Sequence, residues 1–293
     1  DHTFSVDLAN KTDDGIRVYV NDKTVIDRWW TLRQAVKADQ PTYYWPMNSL
    51  TSDTDVGAQS ATWVNQNVTF NGPAIGDVDP TPTSSYTGNA AVSKDGLFTG
   101  IASPTIEVWF KTTGNGVLAG HDNNTTSVYT PIMYITDDGL LHAGFYTANG
   151  AVNMTTSTPV NEGNWHHAVL STTPAVGSTT KATETLFLDG QLVSSITQDL
   201  NLASAPRVTV GTGVATGWPG NTTHSGFWPL STGSIGRVAI YNHPLTLTSI
   251  TRHYQAALAK LATTTATTFT AAPRAATGSL PTAPVATPQR IRV

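Results

Sequence analysis

The chain contains no cysteine, which excludes a disulfide framework and any thiolate metal site. Glutamate occurs at only three positions, Glu107, Glu162 and Glu184, too far apart for any two to share a strand. Cleavage of a glycosidic bond needs two carboxylates converging about 5–10 Å apart, and the glutamates do not supply a local pair. Charged residues are 12% of the total and the net charge is −4. Nucleic-acid binding needs clustered Lys and Arg to displace counterions, so that partner is not expected. No apolar run approaches the ~20 residues of a membrane-spanning helix. Gly-x-Ser-x-Gly, a phosphate-cradling loop and His-Glu-x-x-His are all missing. Aspartate is plentiful, but most copies sit in Asp-Gly or Asp-Asp turns, their ordinary structural use. These absences argue against an enzyme. Zero cysteine alongside abundant Thr, Asn, Gly and Ala suits a bacterial extracellular protein. The opening "DHTFSVDLANKT" has no basic region followed by an apolar stretch, so it is not a signal peptide. It reads as a strand already under way, and a fragment or processed product is expected.

What is present divides into three pieces. In residues 1–30, Phe4, Val6 and Leu8 alternate with polar residues, and "GIRVYVND" and "TVIDRWW" repeat the period of two. Residues 31–258 carry strand after strand, including "TIEVWFKT", "NGVLAGHD", "NWHHAVLST", "ETLFLDGQLVSSI" and "GSIGRVAIYN". Asp138-Gly139 and Asp189-Gly190 supply tight hairpin turns between several of them. The pattern predicts an all-β antiparallel sandwich. "TLRQAVKAD" predicts a short helix ahead of it. "LTLTSITRHYQAAL" predicts one behind it, capped by Thr246 or Thr248 with Ile250, Tyr254 and Leu258 on one face. Residues 259–293, rich in Ala, Thr and Pro without periodicity, read as a linker or tail.

"NWHHAVL" places two histidines side by side. On a strand successive side chains point to opposite faces, so Trp165, His167 and Val169 share one face and His166, Ala168 and Leu170 the other. Neighbouring histidines that diverge cannot chelate one ion. A structural role is expected for both.

"NWHHAVLST…ETLFLDGQLVSS" resembles the central hairpin of laminin G-like, concanavalin A-like jelly rolls, where a Trp-His strand precedes one ending in Asp-Gly. "AVKADQPTYYWPMNS", "TIEVWFKT" and "IGRVAIYNHPLTLTSITRHY" resemble other parts of those domains in the same order. Arg237 departs from the pattern, standing where the closing strand often carries an acidic residue. Bacterial β-glucanases of this fold class carry Glu-x-Asp-x-x-Glu on one strand, and that motif is missing here. "TFSVDLANKTDDGIRVYVNDKTVIDRW" is similar to part of the lectin-like module of the anthrax protective-antigen type. In adhesin members of that group two adjacent aspartates bind calcium, a role the resemblance lends to Asp13 and Asp14. A solvated surface turn is the simpler reading of the pair.

A ligand is expected at the sandwich rim, where loops carry function. "GVATGWPGNTTHSGFWPLSTG" offers Trp218, Asn221 and His224 as ligand-binding candidates. An exposed indole can stack on the C–H face of a sugar, with Asn and His supplying hydrogen bonds. Trp218, between Gly217 and Pro219, is expected to be exposed and Trp228 to be core. "AGHDNNTTS" could supply calcium ligands from Asp122, Asn123 and Asn124; laminin G-like domains often hold calcium at the rim, so Ca2+ is the one cofactor expected. Asn-x-Ser/Thr triplets at Asn67, Asn153 and Asn221 are glycosylation acceptors only in a eukaryotic secretory setting. The expected function is a non-catalytic extracellular recognition or adhesion module, binding glycan or a cell-surface protein. The alternative is a structural or decoration domain of a large assembly. Phage minor tail proteins and repeat-containing toxins carry similar laminin G-like segments, and other subunits of such an assembly would then be its partners.

Overall fold

The computed structural model of the chain describes residues 16–20, 23–28, 31–76, 80–123, 129–145, 147, 153–178, 181–202 and 205–258. Contacts divide the chain into two units, residues 1–30 with 261–293, and Thr31–Lys260. In the first unit β1 (Ile16–Val20) pairs antiparallel with β2 (Lys23–Arg28), with a bulge between Val18 and Tyr19. The expected strand over residues 4–8, the Asp13-Asp14 turn and the tail at 259–293 lie outside the described residues.

The second unit is a sandwich of two antiparallel sheets. One sheet runs in the order β12 (Met154–Thr155), β11 (Leu141–Ala143), β10 (Tyr129–Ile135), β9 (Gly116–Asp122), β16 (Arg207–Val210), β7 (Ala91–Lys94) and β4 (Val64–Gln66). The other runs β15 (Gln191–Asp199), β14 (Lys181–Leu188), β13 (Trp165–Pro174), β8 (Thr105–Lys111), β17 (Gly233–Tyr241), β6 (Thr83–Tyr86) and β5 (Thr69–Gly72), with β3 (Tyr43–Trp45) also paired to β17. Alternation explains the packing. Ile106, Val108 and Phe110 of β8 and Ala168 and Leu170 of β13 point into the core, where they meet Leu118, Ile132, Val208 and Val210 of the facing sheet. Both expected hairpins are present. At β14–β15, Asp189 and Gly190 have φ of 52° and 75°, the left-handed pair that a two-residue type I′ turn requires.

The opposite face of the eight-stranded sheet is buried too. Helices α1 (Leu32–Ala38) and α2 (Leu247–Leu258) cover Trp109, Val169, Phe187 and Tyr241. β8 is therefore buried on both faces over Thr105–Phe110, with Glu107 beside Trp109 on the helix-covered side. Thr31 opens α1 with a capping box, its hydroxyl accepting from the Gln34 amide while the Gln34 side chain accepts from the Thr31 N–H. Thr246 caps α2 by accepting from Ser249 N at 3.1 Å. The buried face of α2 is Ser249, Ile250, His253, Ala256 and Ala257. Leu258 is exposed, contrary to expectation, because the helix turns its small residues and one imidazole towards the sheet.

Arg237 lies in the bulge of β17 with φ of 51°. It is buried and donates to Pro46 O at 2.8 Å and Thr81 O at 3.2 Å. The guanidinium therefore ties backbone carbonyls of two loops together.

Candidate functional site

The two adjacent histidines diverge as the strand period requires, and each enters a separate polar network. His166 packs against Phe110 and lies 2.8 Å from Asp189 and 2.7 Å from Glu162. Burial pulls its pKa down, but the two carboxylates outweigh that and leave it raised. His167 stacks on Trp109 and places Nε2 2.8 Å from Glu107 Oε1. Glu107 also accepts from Tyr241 Oη at 2.7 Å and faces His253 Nδ1 at 3.1 Å. Sequence reading placed Glu107 on its strand but missed this cluster, because His253 arrives from a helix about 150 residues away in sequence.

Glu107, His167 and His253 are the one group among the described residues whose side chains could together hold a metal ion. Their hydrogen bonding argues otherwise. His253 Nε2 faces Asp39 Oδ2 at 2.8 Å and Ala35 O at 3.1 Å, so both ring nitrogens meet acceptors. An imidazole donating on both sides is an imidazolium and cannot ligate a metal. The cluster is a buried strut joining α1, α2 and β8. Glu184 lies buried within β14, where Phe145 N donates to it at 2.7 Å and Gln198 Nε2 at 2.5 Å. The three glutamates therefore converge on no common cleft: two are buried in separate places and Glu162 binds His166.

The loop between β16 and β17 does not stand out from the rim as expected. It folds back over the outer face of the seven-stranded sheet, where Val117 and Tyr134 expose an apolar patch that needs cover. Trp218 is 8% exposed and packs with Val117, Tyr134, Ala215 and Trp228. Tyr134 Oη fixes the turn by donating to Pro219 O at 2.6 Å. Asn221 spends its amide inside the loop, donating to Ala215 O and His224 O and accepting from His224 N. His224 stacks on Trp228 at 4.2 Å and faces Asp137. All three candidates build the loop, and Trp218 offers no open face. Trp228 is buried, as expected.

Phe227 was missed. It is 60% exposed, beside the buried Trp228. This segment is extended, bridging Val214 through Phe227 and Val117 through Pro229. Neighbours on an extended segment point apart, so burying Trp228 exposes Phe227. The dipeptide carried that signal.

Phe227 borders a groove of about 630 Å³ on the outer face of β4, β7, β16 and β9, within the ~300–1,000 Å³ usual for ligand sites. Because Val92, Val208 and Val210 point into the core, Ser93, Arg207 and Thr209 point out to line it. Gln66 and Asn89 add amides along the wall. Asp122 ends β9 rather than lying in a loop, and its side chain is 4% exposed. Arg207 holds the middle: Nη2 donates to Ser93 Oγ at 2.9 Å, Nη1 lies 3.7 Å from Asp122 and Nε 3.6 Å from Asp95. Asn123 follows Asp122, and Asn124 lies outside the described residues. An exposed ring beside closely spaced donors and acceptors can stack against a sugar and bind its hydroxyls. Asp122 is the groove's one carboxylate among the described lining residues.

A two-sheet antiparallel jelly roll with a groove on one sheet defines a lectin-like sandwich. The chain belongs to the concanavalin A-like lectin/glucanases superfamily, whose laminin G-type pattern matches residues 84–251. That match does not extend to residues 1–30. Comparison with curated protein sequences finds no match. Among solved structures, the binding domain of botulinum neurotoxin DC in complex with SialylT is similar at TM-score 0.51 and 12% identity, covering 75% of this chain and 51% of that one. The chain therefore spans about half the length of that relative. Trypanosoma rangeli sialidase is similar at TM-score 0.49 and 13% identity over 75% of this chain and 33% of that one. Domain 4 of AbnA, an extracellular arabinanase from Geobacillus stearothermophilus in complex with arabinotriose, gives 0.44 and 14% over 74% and 98%. The first of these likenesses, with the family match, shows the fold. No helix among the described residues is long and apolar enough to cross a membrane.

Proposed function

We propose that the chain is a non-catalytic recognition module, displayed outside the cell, that binds carbohydrate in the groove over β4, β7, β16 and β9. The observation that carries this reading is the exposed Phe227 ring beside Asp122, Arg207, Gln66 and Asn89 in one cavity. The ring supplies the stacking surface, and the polar groups supply directional bonds to hydroxyls. The fold adds support by association, since the botulinum relative is a binding domain in complex with SialylT. A single described carboxylate in the groove supports the non-catalytic part, because glycoside hydrolysis ordinarily needs two.

Calcium, expected at Asp122 and Asn123, fits the described residues poorly. The ion takes about six to eight oxygen ligands. Asp122 is the only described carboxylate there, and it already has the Arg207 guanidinium 3.7 Å away. The testing experiment is a glycan-array screen of the full chain, alongside Phe227→Ala. Loss of an aromatic anchor costs ~2 kcal/mol or more, roughly thirtyfold in affinity. Glycan binding lost in the variant, with an unchanged melting temperature, supports the groove. A folded chain that binds no glycan refutes the reading and favours a structural role in a larger assembly.

A further inference from the structure

We infer that the groove selects uncharged glycans over acidic ones, an inference that rests on the carbohydrate reading above. Arg207 is the one cation among the described lining residues. A guanidinium open to solvent would draw a carboxylate or sulfate into a bidentate clasp. Here Asp95 and Asp122 flank it at 3.6 Å and 3.7 Å, and Nη2 is donated to Ser93 at 2.9 Å. Two carboxylates around one guanidinium leave the local charge negative. An acidic sugar would have to displace Asp122, whose side chain is 4% exposed and fixed at the end of β9, and would also be repelled through space by Asp95, which lies outside the groove 3.6 Å from Arg207 Nε.

A neutral sugar faces no such conflict. A hydroxyl both donates and accepts. Two adjacent hydroxyls can therefore give a hydrogen bond to Asp122 and take one from Arg207 without separating the pair. Phe227 and Pro229 wall the cavity without adding charge. The ligand class is a neutral oligosaccharide presenting vicinal hydroxyls on one edge and a C–H face to Phe227.

The test is binding of the full chain to matched glycan pairs, each a neutral oligosaccharide and its uronic acid or sialylated counterpart, read by array and by calorimetry. The neutral member is expected to bind ~tenfold or more tightly, since juxtaposed like charges are costly. Asp95 is 67% exposed and does not line the groove. Asp95→Asn is therefore expected to leave neutral binding unchanged and to raise acidic binding by up to about fivefold, the scale of one exposed charge pair. Equal or tighter binding of the acidic members overturns the inference and leaves the carbohydrate reading standing. Binding of neither member by a folded chain refutes the carbohydrate reading itself, and the inference with it.

Discussion

Glu107→Gln removes one charge from the centre of the strut while keeping the size of the side chain. The side chains of Glu107 and His253 are fully buried, whereas Asp39, the second partner of His253, is 16% exposed. Removing one member of a buried ion pair costs about 3–5 kcal/mol. Because Asp39 still balances His253, a loss near ~3 kcal/mol is expected. At about 2–4 °C per kcal/mol for a unit of this size, the melting temperature should fall by roughly 6–12 °C.

The loss should depend on pH. Burial pushes the Glu107 carboxyl up, but His253 and His167 outweigh it and hold the group well below its ordinary 4.5. Its contribution is present above that pH and is lost as the pH falls. Burial pushes His253 down, but Glu107 and Asp39 raise it from 6.5 to about 9. Its contribution is complete below 6.5 and is lost as the pH rises through 9. The gap between wild type and variant is therefore widest between 4.5 and 6.5 and narrows by 9. Calorimetric melting at pH ~6 and pH ~9.5 measures both terms. Melting temperatures that coincide at the lower pH, or a gap of the same size at both, would refute the imidazolium–carboxylate strut.

Glu184 gives the opposite sign. Burial raises its carboxyl to about 7, against the hydrogen bonds from Gln198 and Phe145. Wild-type stability should therefore decline between pH 4.5 and 7 by about 3 kcal/mol, and Glu184→Gln should flatten that decline in urea-derived stabilities. Trp218→Ala should destabilise by about 3–5 kcal/mol, visible in chemical denaturation, because the indole fills the space between Tyr134 and Trp228. A loss below ~1 kcal/mol would return Trp218 to the exposed rim that its neighbours suggested. Chelator should leave glycan binding unchanged, and a loss of binding on chelation would overturn the metal-free reading of the groove.

The sandwich was legible because period-two alternation and Asp-Gly turns are local. A strand with one face in the core writes that face into every second residue, and Asp189-Gly190 names its own turn type. The divergence of His166 and His167 follows from the same period. Sequence alone also fixed what the chain lacks, since missing cysteine and scarce glutamate survive any folding.

The groove and the strut were decided by tertiary structure. Trp218 sits between Gly and Pro and looks exposed, yet the apolar outer face around Tyr134 draws the loop down over it. Once Trp228 is buried by the same movement, Phe227 must face solvent. Glu107, His167 and His253 come from a strand, its neighbour and a distant helix, so no spacing in the chain marks them as a unit. Asp122 and Arg207 meet because β9 and β16 lie in register. Pairing of strands about 85 residues apart is a property of the folded sheet, and the charge that we assign to the groove is set there.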